Sequence, residues 1–229
     1  MEILADPEAV ARAAAAFIAA EVRAAVTARG RFCVAVSGGQ TPWQMLRLLA
    51  REAVPWEGVH VFQVDERVAP AGHPDRNLTH LRESLGQASL PSDQLHAMPV
   101  EAEDLTAAVA RYAGTLQALA GFPPILDLVH LGLGPDGHTA SLVPGDAVLD
   151  VTDADVALTG IYQGRRRMTL TYPVLNRARR ILWLVTGSEK AGMLVRLYAG
   201  DRSIPAGRVS QDQAMVLADQ AAASLLGSG

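Results

Sequence analysis

The sequence predicts an α/β fold, a mostly parallel sheet with helices on both faces. Three observations lead there. Strand-like and helix-like patterns alternate through the chain with no repeat or linker between them. The strand segments at 31–36, 126–131 and 181–185 are rich in branched and other apolar residues, as strands covered on both sides must be. Glycines and polar side chains gather just after the strand at 126–131, at the carboxyl end, where open α/β sheets place their ligands.

In order, Asp6-Pro7 is a helix start, and Val10, Ala14, Phe17, Ile18, Val22 and Val26 recur at helical spacing up to Gly30, predicting a helix that covers the sheet. Residues 31–36 form the first expected strand. It runs into Ser37-Gly38-Gly39-Gln40-Thr41-Pro42, and a second helical pattern covers 43–50. An anion fits at such a strand, glycine turn and helix start. The first amides of a helix lack partners within it, its dipole adds partial positive charge, and two glycines let the backbone come close. Ser37 and Thr41 can add hydroxyl bonds, and Pro42 suits the first helical position. The run matches neither GxxxxGK[ST] nor GxGxxG. A tight turn capped by Thr41 is the purely structural alternative.

Residues 59–64 are the next expected strand, ending in Asp65-Glu66-Arg67. Adjacent carboxylates on a strand point to opposite faces, so at most one faces a site, and such a cluster is ordinarily a solvated loop. Pro70, Gly72 and Pro74 make 69–77 irregular before helical spacing resumes at 78–85. A short strand is expected at 95–98 and an amphipathic helix at 104–120, stopped by Gly121. Beyond Pro144, strands are expected at 156–158, 167–171, 181–185 and 216–217, a short helix from Pro173, a helix over 189–198 and a terminal helix from Asp219. Lys190 falls in the first turn of its helix, where a cation opposes the dipole unless something negative is near; an exposed lysine is the plainer alternative.

The stretch LDLVHLGLGPDGHTASLVP, 126–144, carries the densest chemistry. Its strand ends in Gly132, Gly134, Pro135 and Gly137, and Asp136, His138, Thr139 and Ser141 follow. His138, set among a carboxylate, glycines and hydroxyls, is the candidate for proton transfer. A plain turn with an exposed histidine is the alternative. His60, His73, His80 and His96 show no metal-ligand spacing and are expected to be surface or satisfied groups.

The 229 residues are 49% apolar and 19% charged with a net charge of −4, which suits one domain over 1–229 and no disorder. The acidic balance argues against generic nucleic-acid binding, while Arg67, Arg76, the run Arg165, Arg166, Arg167, and Lys190 leave room for a small anionic ligand. No apolar run reaches the ~18 residues of a membrane span. Glu2, Asp6 and Glu8 stand where a signal peptide would be basic or apolar, so a cytoplasmic protein is expected. Cys33 is the only cysteine, which excludes an internal disulfide, and its apolar neighbours predict a buried, unreactive thiol.

Three blocks, SGGQTP at 37–42, DER at 65–67 and GLGPDGHTASLVP at 132–144, together resemble the 6-phosphogluconolactonases, which share a sugar-phosphate superfamily with the glucosamine-6-phosphate deaminases. The match continues through RMTLTYPVLN at 167–176 and VTGSEKA at 185–191. The resemblance implies a Rossmann-like sheet and hydrolysis of 6-phospho-D-glucono-1,5-lactone to 6-phosphogluconate in the pentose phosphate pathway, without cofactor or metal. By position it implies that Ser37, Gly38, Gly39 and Thr41 cradle the phosphate with Lys190 and an arginine. It likewise makes His138 the base beside Asp136, and puts Asp65, Arg67, Asn77 and Arg167 on the substrate side. The deaminases carry a glutamate where this chain has Val143, and usually a tyrosine where it has Arg67. The segment before RMTLT, usually proline-rich in the lactonases, here reads GIYQGRRR, so Arg165 and Arg167, which share a strand face, both stay open as the ligand's arginine.

For a lactone, an activated ester, a water, a base and charge stabilisation suffice. Neutral His138 would take the water's proton and return it to the leaving ring oxygen, with Asp136 orienting it; Arg67 or amides of the turn at 132–137 would face the oxyanion. The alternatives are a glucosamine-6-phosphate deaminase and a non-catalytic sugar-phosphate sensor, although no DNA-binding segment precedes the first helix. The expected partner is a small sugar-phosphate lactone, with no nucleic acid or membrane, and the chain a monomer or homodimer.

Overall fold

The computed structural model describes residues 1–227. Its centre is a seven-stranded sheet built from β1 (Glu2–Leu4), β2 (Phe32–Val36), β3 (Val59–Gln63), β5 (Leu95–His96), β6 (Leu128–Gly132), β9 (Ile181–Val185) and β10 (Ala214–Asp219). Every neighbouring pair is parallel, in the order β1-β10-β9-β6-β2-β3-β5. A separate antiparallel sheet joins β4 (Asp65–Arg67), β8 (Arg167–Leu170) and β7 (Val156–Leu158).

The period-two alternation of a strand explains why the central strands are apolar throughout. Phe32, Val34 and Val36 of β2 pack with α1 (Pro7–Arg29), α2 (Gln40–Leu49) and α3 (Asn77–Ser84). Cys33 and Ala35 face the opposite core, built with α4 (Leu105–Ala120), α5 (Tyr172–Arg177), α6 (Ala191–Tyr198) and the small sheet. α1 begins on the Asp6 carboxylate, which accepts from the Ala9 amide, and stops at Gly30, whose φ of 73° few other residues adopt.

The strand order turns back once. From β2 the chain proceeds outward through β3 to β5, then returns to lay β6 on the other side of β2 and continues through β9 to β10. The carboxyl ends of β2 and β6 therefore bound the crevice where such sheets bind ligands. The turns singled out in the sequence, 37–42 and 132–138, leave from these two ends.

Three expectations need correction. Asp65-Glu66-Arg67 is a buried strand, because the Glu66 carboxylate finds donors on every side: Gln63 Nε2 (2.9 Å) and the amides of Arg67 (2.8 Å), Asn77 (2.9 Å) and Leu78 (2.8 Å). No terminal helix follows Asp219 among the described residues; its carboxylate accepts from Gly187 N and Ala222 N, and turns follow. The segment at 189–198 opens as a short 3-10 turn, Ser188–Lys190, before α6. β1, three residues on the sheet's edge, is too short for the alternation to reveal.

Arg76 Nε lies 3.1 Å from Glu66 Oε2, an ion pair whose angle falls short of a hydrogen bond, with both side chains out of solvent. Removing the Glu66 charge leaves the buried Arg76 with only the half-exposed Glu101, 2.6 Å from its Nη1. Glu66→Gln is expected to destabilise the protein by about 3 kcal/mol, since it also turns amide donors against a side-chain amide. Urea unfolding measures this, and a loss under about 1 kcal/mol would remove Glu66 from its organising role.

Candidate active site

The first wall comes from the end of β2. The Ser37 amide donates to His130 Nδ1 (3.2 Å) and the Ser37 hydroxyl donates to the His130 carbonyl (3.0 Å), so β2 is tied to β6 just where the strands part. The Ser37 hydroxyl proton is thus already engaged, and donation to an anion falls to the backbone instead. Gly39 caps α2 with a φ of 139°, and Pro42 sits third in the helix, not first. The amides of Gln40 and Thr41 have no partner within the helix. Thr41 Oγ1 meets Thr186 Oγ1 at 2.9 Å, linking this turn to the end of β9. Gly38 must be glycine: a Cβ there would lie 2.1 Å from Asn77 Oδ1.

The second wall is built on Glu66. By holding the first amides of α3 it places Asn77, whose Nδ2 donates to the Asp65 carbonyl (2.9 Å) and whose Oδ1 accepts from Arg67 Nη1 (2.9 Å). Asp65 Oδ2 accepts from the Ser141 hydroxyl at 2.6 Å, which ties this wall to the turn after β6. Arg67 Nη1 also donates to the Asp75 carbonyl, while its buried Nε has no partner.

The third wall is the turn after β6. His138 Nδ1 is 2.5 Å from Asp136 Oδ1, which also accepts from the His138 amide (3.1 Å). A carboxylate only accepts, so Nδ1 carries a proton, and Nε2 is the ring nitrogen that Asp136 does not engage. Partial burial alone would raise the Asp136 pKa; the amide and imidazole of His138 outweigh it and hold the carboxyl below its ordinary value. The imidazole lies so close to the turn that a Cβ on Gly134 would come 2.1 Å from Nδ1. The alternative of a plain turn with an exposed histidine is not what forms here.

These walls enclose one cavity of about 170 Å³, lined by Ser37, Gly38, Asp65, Arg67, Asn77, His138, Arg167 and Lys190. Gly39 and Thr41 line a second cavity of about 840 Å³ that shares Gly38, Gly132, Leu133 and Lys190 with the first. Asp136 stands behind His138. The three arginines separate: Arg165 Nε pairs with Asp75 (2.8 Å), Arg166 is exposed, and Arg167 is buried in the cavity wall with its Nε unpartnered. Burial lowers the Arg167 pKa; Asp65 pulls it up, and Arg67 pushes it down. Lys190 is largely covered, and its nearest carboxylate is Glu189 at 3.8 Å.

Cys33 is buried with its pKa pushed up to about 11 by desolvation, an unreactive thiol. His60 Nδ1 and His96 Nε2 satisfy each other at 3.2 Å. Among the described residues no group of three or more His, Cys, Asp or Glu is placed to hold a metal ion, and no helix is long and apolar enough to cross a membrane.

Sequence reasoning passed over His130 and Tyr162, read Glu66 as part of a solvated cluster, and named Ser141 without a partner. His130 sits inside an apolar run, and only its position two residues before the glycine turn could have marked it. Tyr162 donates to Asp136 Oδ2 (3.2 Å) from a segment whose pattern carried no signal.

A family model described as glucosamine-6-phosphate isomerases/6-phosphogluconolactonase matches residues 5–218. The 6-phosphogluconolactonase of Synechocystis sp. is 37% identical, over 87% of this chain and 85% of that one. The crystal structure of 6-phosphogluconolactonase from Thermotoga maritima superposes with a TM-score of 0.85 at 27% identity, covering 95% of this chain and 97% of that one. A monomeric glucosamine-6-phosphate deaminase superposes with a TM-score of 0.84 at 20% identity, covering 98% and 100%, a likeness of fold alone.

Complete burial keeps His130 neutral, its pKa pushed down to about 3 from 6.5. Between those values the unfolded chain binds a proton that the folded chain does not, so stability falls as pH drops through the window, by up to about 1.4 kcal/mol per pH unit. His130→Asn keeps an acceptor for the Ser37 amide without titrating. Urea unfolding between about pH 4 and 6.5 should show a shallower pH dependence in this variant, and an identical slope would remove His130 as its source.

Proposed function

The chain belongs to the glucosamine-6-phosphate isomerase/6-phosphogluconolactonase family, and from that premise we propose how it works as a 6-phosphogluconolactonase. It hydrolyses 6-phospho-D-glucono-1,5-lactone to 6-phospho-D-gluconate, a step of the oxidative pentose phosphate pathway. The observation that supports the mechanism best is that a single cavity is walled by Gly38 of the anion-binding turn, His138 of the second turn, and Arg67 and Arg167.

The phosphate lies on the amides opening α2, at Gly38, Gly39 and Thr41, where unpartnered N–H groups and the helix dipole favour negative charge. Ser37 holds that turn in place through His130, and Lys190 closes on the anion from the end of β9. With the phosphate fixed there, the lactone ring extends towards His138. Nε2 of His138 takes a proton from water as the water oxygen bonds to the carbonyl carbon. The tetrahedral oxyanion meets the positive charge of the Arg67 and Arg167 guanidinium groups, which line the same cavity as His138. As the bond from carbon to ring oxygen breaks, His138 returns the proton to that oxygen, and the new carboxylic acid ionises. Asp136 keeps the imidazole in the tautomer this requires. Asp65 and Asn77 set Arg67.

Val143, where the deaminases carry a carboxylate, is buried and non-ionisable, which favours the lactonase over the deaminase. A cytoplasmic location and a monomeric or homodimeric state, with the sugar-phosphate lactone as partner, complete the proposal.

His138→Ala is expected to lower turnover of the pure lactone by about two to four orders of magnitude, corrected for spontaneous hydrolysis. A coupled assay should show wild-type turnover of phosphogluconolactone and none of glucosamine-6-phosphate. Turnover of the amino sugar alone points to the deaminase, turnover of neither to a sensor, and a fully active His138→Ala dismisses the general-base role.

A further inference from the structure

The segment that departs from the lactonase pattern, GIYQGRRR, forms the connection between β7 and β8. Its tip is a tight hairpin. Tyr162 and Arg165 exchange two backbone hydrogen bonds (2.9 and 3.2 Å), and the two residues between them, Gln163 and Gly164, have φ of 50° and 77°. Positive φ at both central residues is the hairpin geometry that matches strand twist. The hairpin is anchored at its foot by Arg165, which bonds Asp75 (2.8 Å) and His73 (3.2 Å) on the same loop that supplies a carbonyl to Arg67.

Three contacts lead from Tyr162 into the site. Its hydroxyl donates to Asp136 Oδ2 (3.2 Å), the carboxylate oxygen that His138 leaves free. Its ring stands edge-on to the His138 imidazole with centroids 5.7 Å apart. The Arg167 guanidinium lies 4.9 Å from the ring centroid, and Gln163 Oε1 accepts from Arg167 Nη2 (3.1 Å). Building on the lactonase reading, we propose that Tyr162 is a positioning residue, clamping Asp136, His138 and Arg167 into one unit. Its hydroxyl fixes the plane of the carboxylate so that Oδ1 stays on Nδ1, and its ring limits Arg167 to one orientation.

The two functions separate by variant. Tyr162→Phe removes only the hydroxyl. The charged and titratable groups around His138 are Asp136 on its own turn and Tyr162 on the hairpin, with Arg167 behind the ring and Asp65, Arg67 and Lys190 across the cavity. Losing a donor to Asp136 concentrates negative charge on the imidazole side, so the acid limb of the kcat/KM profile should move to higher pH. Turnover should fall about three- to tenfold with KM nearly unchanged. Tyr162→Ala also frees Arg167, and KM should then rise by about tenfold.

The test measures kcat and KM across pH for the wild type and both variants, and titrates His138 by NMR in 15N-labelled protein. Equal thermal melting shows that the variants are folded, and the Phe variant decides if the Ala variant is not. An unchanged His138 titration and unchanged kcat in Tyr162→Phe would overturn the clamp. A folded wild type without lactonase activity would instead sink the reading beneath it, while the NMR titration would still report whether Tyr162 acts on the pair.

Discussion

Two parallel strands that separate at their carboxyl ends are held at a set distance by one neutral imidazole, and the rest of the site depends on that spacing. His130 stands where the ladder between β2 and β6 gives out, and it accepts the Ser37 amide while its own carbonyl accepts the Ser37 hydroxyl. The tie has a cost, because Nε2 of the same ring is buried without a partner. An apolar residue would avoid that cost but leave the Ser37 amide unsatisfied at the start of the glycine turn. The switch in strand order opens the crevice, and His130 sets its width.

Around that crevice the protein places charges by backbone geometry more than by pairing them. Glu66 holds the opening amides of α3 and so sets Asn77, which in turn sets Arg67. Arg67 and Arg167 bring their guanidinium groups into a partly desolvated wall, where charge counts for more than in water. Asp136 and His138 form the complementary arrangement, with a carboxylate that accepts from the imidazole, the His138 amide and the Tyr162 hydroxyl. The cluster is rigid because each of its members is held from a different element, so an incoming ligand meets groups already in place.

The parts of this architecture visible in the sequence are those decided within a few residues. The strand Ile181–Val185 was predicted to the residue because all five side chains are buried, and α1 because Asp6 and Gly30 act locally as caps. What the sequence hid depends on distant partners. Glu66 looked solvated because its donors at 77 and 78 lie beyond an irregular loop. Asp219 looked like a helix cap, yet one of the amides it accepts is Gly187, on another strand's end. The spread of Arg165, Arg166 and Arg167 follows from the hairpin: only the residue that enters β8 is carried into the cavity wall. The motif residues of the two glycine turns were legible as types, whereas the loss of the Ser37 hydroxyl to His130 was not.

Val143, in the turn that follows β6, has a side chain that cannot ionise. Its side chain is only 5% exposed and lines neither cavity. A glutamate substituted there would be taken largely out of water, and desolvation would favour its neutral acid form. An ionised side chain at this position therefore needs more than the substitution itself, because water or hydrogen-bond donors must reach it as well. How much water arrives at position 143, more than the path of the backbone, decides which charge state can exist there.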